Sequence, residues 1–251
     1  MTAALKGRTA LVTGATNGIG RGVAQALAAA GAQVIVHGRD PARGTEVVDA
    51  IISAGGAAAF VPADLAGGGG AITRLAARAA EVADGPIDIL VNNAAYLVGQ
   101  TAATDTTEAM IDAALAVSVK APILLTAALV PAMAERGEGV VINMGSINGI
   151  TGMAKTALYS ATKSAVHGLT RDLAAEYGPA GIRVNAIAPG PTLTEITEDH
   201  RAFLDPLIAT LPSRAYSTPA QIGATAVFLA SDDAANIHGA VISVDGGFTA
   251  I

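Results

Sequence analysis

Seven short runs rich in apolar and β-branched residues recur along the chain, and most are followed by a longer segment with helical spacing. The runs are TALVTG (9–14), AQVIVHG (32–38), AAAFVPA (57–63), IDILVNNA (87–94), GVVINMGS (139–146), IRVNAIAP (182–189) and AVISVDG (240–246). Helical patterns fall near 19–30, 41–54, 70–83, 105–135, 155–178 and 218–230. Several runs are apolar throughout, the mark of strands covered on both faces. Strands alternating with helices imply parallel βαβ units with right-handed crossovers, which predicts an α/β fold with a doubly wound parallel sheet and helices on both faces.

No Pro- or Ser-rich linker interrupts this rhythm, so residues 1–251 read as a single domain. The stretch 190–217 departs from it, punctuated by Pro191, Pro206 and Pro212 and bounded by Pro189 and Pro219. A connection of that length in a compact domain is usually a binding loop or lid, and a substrate loop is expected there. Its Phe203, Leu204, Leu207 and Leu211, with Met144, Asn148 and Met153, suggest a partly apolar pocket.

Composition closes off several functional classes. The net charge is −6 and no Lys/Arg cluster is present, which argues against a nucleic-acid partner. With no cysteine there is no disulfide framework and no thiolate zinc site. His37, His167, His200 and His238 are scattered without ligand spacing, so no metal is expected, and His167 is expected on the solvated side of its helix. The start MTAALKGRTALVTG has no basic region followed by a long apolar run, and no uninterrupted apolar run approaches about 18 residues. A soluble cytoplasmic protein is the expectation.

The stretch ALVTGATNGIGRGVAQAL runs from the first strand through a glycine turn into an Ala-rich helix. Gly14 suits a sharp turn, Gly18 lets a pyrophosphate approach the backbone, and Gly20 lets helix and strand pack closely. Free N–H groups near Gly18 and Ile19 would face the phosphates. A ligand-free turn would read similarly, but its place after the first strand favours a dinucleotide. Further on, Tyr159 and Lys163 stand four apart on one helix face, in itself an ordinary pairing.

The turn reads T-G-x-x-x-G-x-G, and it is followed in order by NNAA (92–95), GS (145–146), YSATK (159–163), PGPT (189–192) and VDGG (244–247). In this combination the chain resembles the classical short-chain dehydrogenase/reductase family over essentially its whole length. The resemblance implies a Rossmann-type fold with seven strands, a nicotinamide cofactor, and a homotetramer paired through the helices at 105–135 and 155–178 and through the C-terminal helix and strand. It implies hydride transfer between NADP(H) and a carbonyl or secondary alcohol, of ketoreductase or alcohol dehydrogenase type and extending to 3-oxoacyl substrates. The rival is a non-catalytic dinucleotide-binding protein that keeps the fold for regulation or scaffolding.

By the same resemblance Ser146 polarises the substrate oxygen and Tyr159 exchanges the proton, while Lys163 bonds the nicotinamide ribose. A lysine ammonium beside a phenol is expected to lower its pKa. Ser118 stands where the family has an asparagine that helps hold a water beside the lysine, and its hydroxyl could do so too; Asn93 or Asn148 supplying the amide is a weaker alternative. Cofactor contacts are implied for Gly14, Thr16, Asn17, Gly18, Ile19 and Gly20 at the turn, for Asp64 and Leu65 at adenine, and for Asn92 and Ala94 on the adenosine side. Pro189, Gly190 and Thr192 fall on the nicotinamide side, with Tyr159 and Lys163. Asp64 could instead cap a helix, and Asn92 could instead brace neighbouring strands. Gly38 occupies the place of the acid that selects NAD, with Arg39 next and Arg43 one helical turn on. A guanidinium suits a 2′-phosphate, so NADP is favoured with NAD as the alternative, although Asp40 could pair with either arginine.

Overall fold

The computed structural model describes residues 4–199 and 201–251, without the side chain of Ile196; His200 lies outside the described residues. One sheet of seven strands runs through it: β1 (Thr9–Val12), β2 (Gln33–Gly38), β3 (Ala57–Pro62), β4 (Ile89–Asn92), β5 (Gly139–Met144), β6 (Ile182–Pro189) and β7 (Val241–Val244). Their order is β3-β2-β1-β4-β5-β6-β7, and every neighbouring pair is parallel. The sheet is the doubly wound one the alternation predicts, with its reversal between β1 and β4.

The strands read as apolar throughout because both faces are covered. In β1, Ala10 and Val12 face one apolar cluster and Leu11 the other; in β2, Val34 and Val36 oppose Ile35 in the same way. On the first face α1 (Gly18–Ala29), α2 (Pro41–Ser53) and α9 (Pro219–Ala230) contribute Val23, Leu27, Val47, Ile222 and Leu229. On the second, α3 (Gly69–Ala83), α5 (Ala121–Arg136) and α6 (Ala157–Tyr177) contribute Ile72, Leu75, Leu125, Met133 and Leu173. Each fully buried aliphatic side chain of this kind stabilises the fold by roughly 1.5–3 kcal/mol against exposure.

Two departures from the sequence reading bear on the site. Strands β1, β4 and β5 end before the expected runs do, because Thr13, Gly14, Asn93, Ala94, Gly145 and Ser146 leave the sheet at its carboxyl edge. The segment expected as one helix over 105–135 is α4 (Glu108–Leu115), a single π turn at Ala116–Lys120, and α5. It starts at Glu108 because Thr107 caps it, accepting from the Met110 N–H at 3.3 Å. The composite helix is long and apolar enough to cross a membrane by length and composition, but its buried Leu125, Leu129 and Met133 pack against the sheet. The 190–217 stretch carries two short helices, α7 (Glu195–Glu198) and α8 (Arg201–Ile208).

Candidate active site

The chain segments leaving β1, β4, β5 and β6 meet at the carboxyl edge beside the point where strand order reverses, the ligand-binding place of doubly wound sheets. The glycine turn is built there. Gly14 holds φ +61°, and a Cβ on it would stand 2.9 Å from the Ala94 Cα. A Cβ on Gly20 would run into the Gly14 carbonyl and the Asn93 amide. Asn17 precedes α1 without a side-chain cap, so the first-turn N–H groups beside Gly18 and Ile19 have no side chain competing for them.

Side chains that the sequence reading did not assign hold this turn. Thr13 Oγ1 accepts from the N–H groups of Asn93 and Ala94, both at 3.0 Å. Asn93 Nδ2 donates to the carbonyls of Thr13 (2.9 Å) and Gly14 (3.0 Å). The Gly14 N–H donates to His37 Nδ1 at 3.3 Å, and His37 Nε2 reaches the Ala63 carbonyl at 3.2 Å. Burial pushes the His37 pKa down to about 4, so the ring is neutral and Nε2 carries its proton. The signal for all three was a polar residue at or just beyond the end of an apolar strand.

At the adenosine end Asp40 is committed to its own helix. It accepts from the N–H groups of Ala42 (3.0 Å) and Arg43 (3.3 Å), and its other oxygen pairs with Arg43 Nε at 3.6 Å. Arg39 is exposed and has no ion pair among the described residues. Gly38 is packed under Thr16, whose methyl a Cβ there would meet. With glycines at the turn and uncapped N–H groups at the start of α1, the residues fit a dinucleotide.

Other expected contacts sit differently. Asp64 accepts from the Ala66 N–H at 3.0 Å and caps a short turn, the alternative reading of that residue. Leu65 buries its side chain in the core, which leaves only its backbone for a ligand. The buried Asn92 side chain donates from Nδ2 to Asn143 Oδ1 at 2.9 Å and braces β4 against β5, the alternative reading of that residue. Ala94 lies over Gly14. Pro189 ends β6, the Gly190 N–H donates to the Val244 carbonyl at 3.0 Å, and buried Thr192 donates to the Gly190 carbonyl at 3.0 Å.

The Ser146 hydroxyl favours the Tyr159 phenolate, and Lys163 Nζ lies 5.7 Å from the Tyr159 ring centroid. The Lys163 amine donates to the Met144 carbonyl at the end of β5, at 2.7 Å. Burial lowers its pKa to about 8, so it remains largely an ammonium at neutral pH. The expectation of a lowered Tyr159 pKa is corrected: burial pushes the phenol up, outweighing the opposing effect of the Ser146 hydroxyl. Asn148 accepts from the Ser146 hydroxyl at 3.5 Å and donates to Thr156 Oγ1 at 3.2 Å, which in turn meets Ser160 Oγ at 3.0 Å. Ser118 is buried in the π turn and accepts from the Tyr96 N–H at 3.1 Å, leaving its own hydroxyl hydrogen to donate. His167 is also corrected: it is 4% exposed and turned inward beneath Ser146, not toward solvent. No group of three or more metal-ligating side chains occurs among the described residues.

Residues 14–249 match the family model described as enoyl-(acyl carrier protein) reductase. Galactitol 2-dehydrogenase (L-tagatose-forming) of Cereibacter sphaeroides is 37% identical over 98% of this chain and 96% of its own. A crystal structure of a gluconate 5-dehydrogenase from Beutenbergia cavernae, with NADP bound at low occupancy, superposes with a TM-score of 0.92 at 38% identity over 100% of both chains. That of a 3-oxoacyl-(acyl-carrier-protein) reductase from Agrobacterium tumefaciens, with NADP bound, does so with a TM-score of 0.91 at 34% identity over 97% of this chain and 95% of its own.

Proposed function

The chain belongs to the short-chain dehydrogenase/reductase family and is an NAD(P)-dependent oxidoreductase acting on alcohol groups; from that premise we propose that it interconverts a ketone and a secondary alcohol with NADP(H). The observation that carries this reading is the convergence of Ser146, Tyr159 and Lys163 at one sheet edge. The cofactor, when bound, supplies or takes the hydride. Gly14, Thr16, Asn17, Gly18, Ile19 and Gly20 would hold its phosphates, Arg39 its 2′-phosphate, and Thr192 with the backbone at Pro189 and Gly190 its nicotinamide end.

Ser146 orients the substrate oxygen through its hydroxyl, and Tyr159 delivers or accepts the proton at Oη. The raised phenol pKa keeps that proton in place at neutral pH, the state an acid for carbonyl reduction requires. The Lys163 ammonium stabilises the phenolate left behind, and Ser118 with a water carries the proton onward. The polar series Ser146, Asn148, Thr156 and Ser160 suits a substrate carrying further hydroxyls, such as a polyol or ketose, over a long acyl chain. The 190–217 stretch would close over it. A homotetramer working in the cytoplasm, with no nucleic-acid or membrane partner, completes the proposal.

The test follows absorbance of NADPH and NADH with a ketose and with ethyl acetoacetate, and reduction of NADP with galactitol, D-threitol and gluconate. Turnover with NADPH or NADP on hydroxylated substrates supports the reading. Faster turnover of ethyl acetoacetate moves it to the acyl class, and cofactor binding without turnover on any of them supports the non-catalytic rival.

A further inference from the structure

The imidazole of His167 occupies the space that two glycines leave on either side of Ser146. A Cβ on Gly145 would run into its Nε2, and one on Gly149 would stand 2.6 Å from its Cε1 and 2.8 Å from its Nδ1. The ring is 4% exposed. The Ser146 N–H donates to Nε2 at 3.4 Å. With Nε2 an acceptor, the neutral ring carries its proton at Nδ1. His167 also sits one helical turn beyond Lys163 and two beyond Tyr159 on α6. The ring therefore bridges the helix that carries the proton-transfer pair and the turn that carries the serine.

Ser146 itself has an extended backbone, φ −170° and ψ 156°, before a three-residue 3₁₀ turn, Ile147–Gly149. Two neighbours of His167 on α6 also reach this segment, at its two ends: Lys163 Nζ donates to the Met144 carbonyl at 2.7 Å and Ser164 Oγ to the Gly149 carbonyl at 3.3 Å. The Gly145 N–H is tied to the Ile187 carbonyl on β6 at 2.7 Å, which positions the start of the segment but not its separation from the helix. His167 acts at Ser146 itself, filling the gap between helix and turn and accepting from the Ser146 N–H.

We propose that His167 is a positioning residue: it sets the Ser146 hydroxyl at its working distance from the Tyr159 phenol without touching substrate or cofactor. This rests on the oxidoreductase reading above. Reaction between oriented groups is sensitive to displacements of an ångström, so loss of the ring should lower kcat far more than it alters NADPH binding.

The experiment has two arms. In the first, long-range ¹H–¹⁵N spectra of the full-length protein, with the His167 signals assigned by their loss in His167→Gln, report the tautomer regardless of activity. The Nδ1-protonated form is expected; an Nε2-protonated or charged ring at pH 7 overturns the proposal. In the second, kcat and KM for ethyl acetoacetate reduction and the NADPH Kd are measured for the parent, His167→Leu and His167→Gln. Glutamine places an amide oxygen near the position of Nε2 and can accept from Ser146, whereas leucine fills space alone. The expected result is a kcat lowered by about ten- to a hundredfold in His167→Leu, with Kd unchanged and most of the rate restored by glutamine. Parent-like kcat in the leucine variant, or equal loss in both variants, reduces His167 to a packing residue and overturns the proposal. If leucine prevents folding, glutamine decides alone: parent-like kcat upholds the proposal and a collapse overturns it. A parent inactive on every ketone fails the oxidoreductase reading, and the tautomer then decides whether the strut exists.

Discussion

Gly38 lies directly beneath Thr16, so that a Cβ at residue 38 would strike the Thr16 methyl. An acidic side chain, which would favour a free ribose hydroxyl, has no room there while Thr16 keeps its place. Asp40 pairs with Arg43 and caps α2, and the proposed NADP preference rests on Arg39. Arg39→Ala should weaken NADPH binding by about 1.5–3 kcal/mol, the scale of a charge-assisted hydrogen bond, and leave NADH nearly unchanged. Gly38→Asp alone should gain little NADH affinity, and Gly38→Asp with Thr16→Ala should gain more. Titration with both cofactors checks this; equal loss of both in Arg39→Ala contradicts the assignment.

Ser118 does two things at once: it receives the Tyr96 N–H and keeps a hydroxyl hydrogen free for a water. Ser118→Ala should reduce turnover by about tenfold or more with little change in NADPH affinity. Parent-like rates across pH 6 to 9 would leave Ser118 as a support for the loop after β4 only.

His37 makes stability depend on pH. Its folded pKa of about 4 lies below the ordinary 6.5, so the unfolded chain binds the extra proton first as pH falls. The stability associated with the neutral ring is complete above 6.5, declines through the interval and is lost below about 4, by roughly 3 kcal/mol in all. His37→Asn retains an acceptor for the Gly14 N–H but cannot titrate. Urea unfolding between pH 4 and 7 should therefore show a shallower slope in the variant; parallel curves would contradict the assignment.

The sheet and its topology were legible because both-face burial writes itself into the sequence as unbroken apolar runs, and the glycine turn because its spacing follows a strand. Ser146, Tyr159 and Lys163 became legible only through the family spacing, since a phenol and an amine four apart on a helix are otherwise ordinary. The supports were harder to see. Thr13, His37, Asn93 and His167 act through backbone groups many residues away, and no local pattern distinguishes a histidine facing inward from one facing water. The inward turn of His167 is hidden for that reason. The burial that raises the Tyr159 pKa is likewise a property of the assembled fold and not of the lysine spacing.

Ile111, Leu115 and Ile123 are large aliphatic side chains left exposed along α4 and α5. A second copy covering that face would account for them, and light scattering at micromolar concentration should return the mass of a tetramer. A monomer at that concentration contradicts the proposed assembly.

The most direct test of the catalytic account is Tyr159→Phe, which keeps the ring and removes only the proton carried at Oη. NADPH binding should match the parent, while turnover on the best ketone falls by about a hundredfold or more, within the range for loss of a general acid. Turnover within about tenfold of the parent, with the fold and the cofactor affinity intact, would show that another group carries the proton.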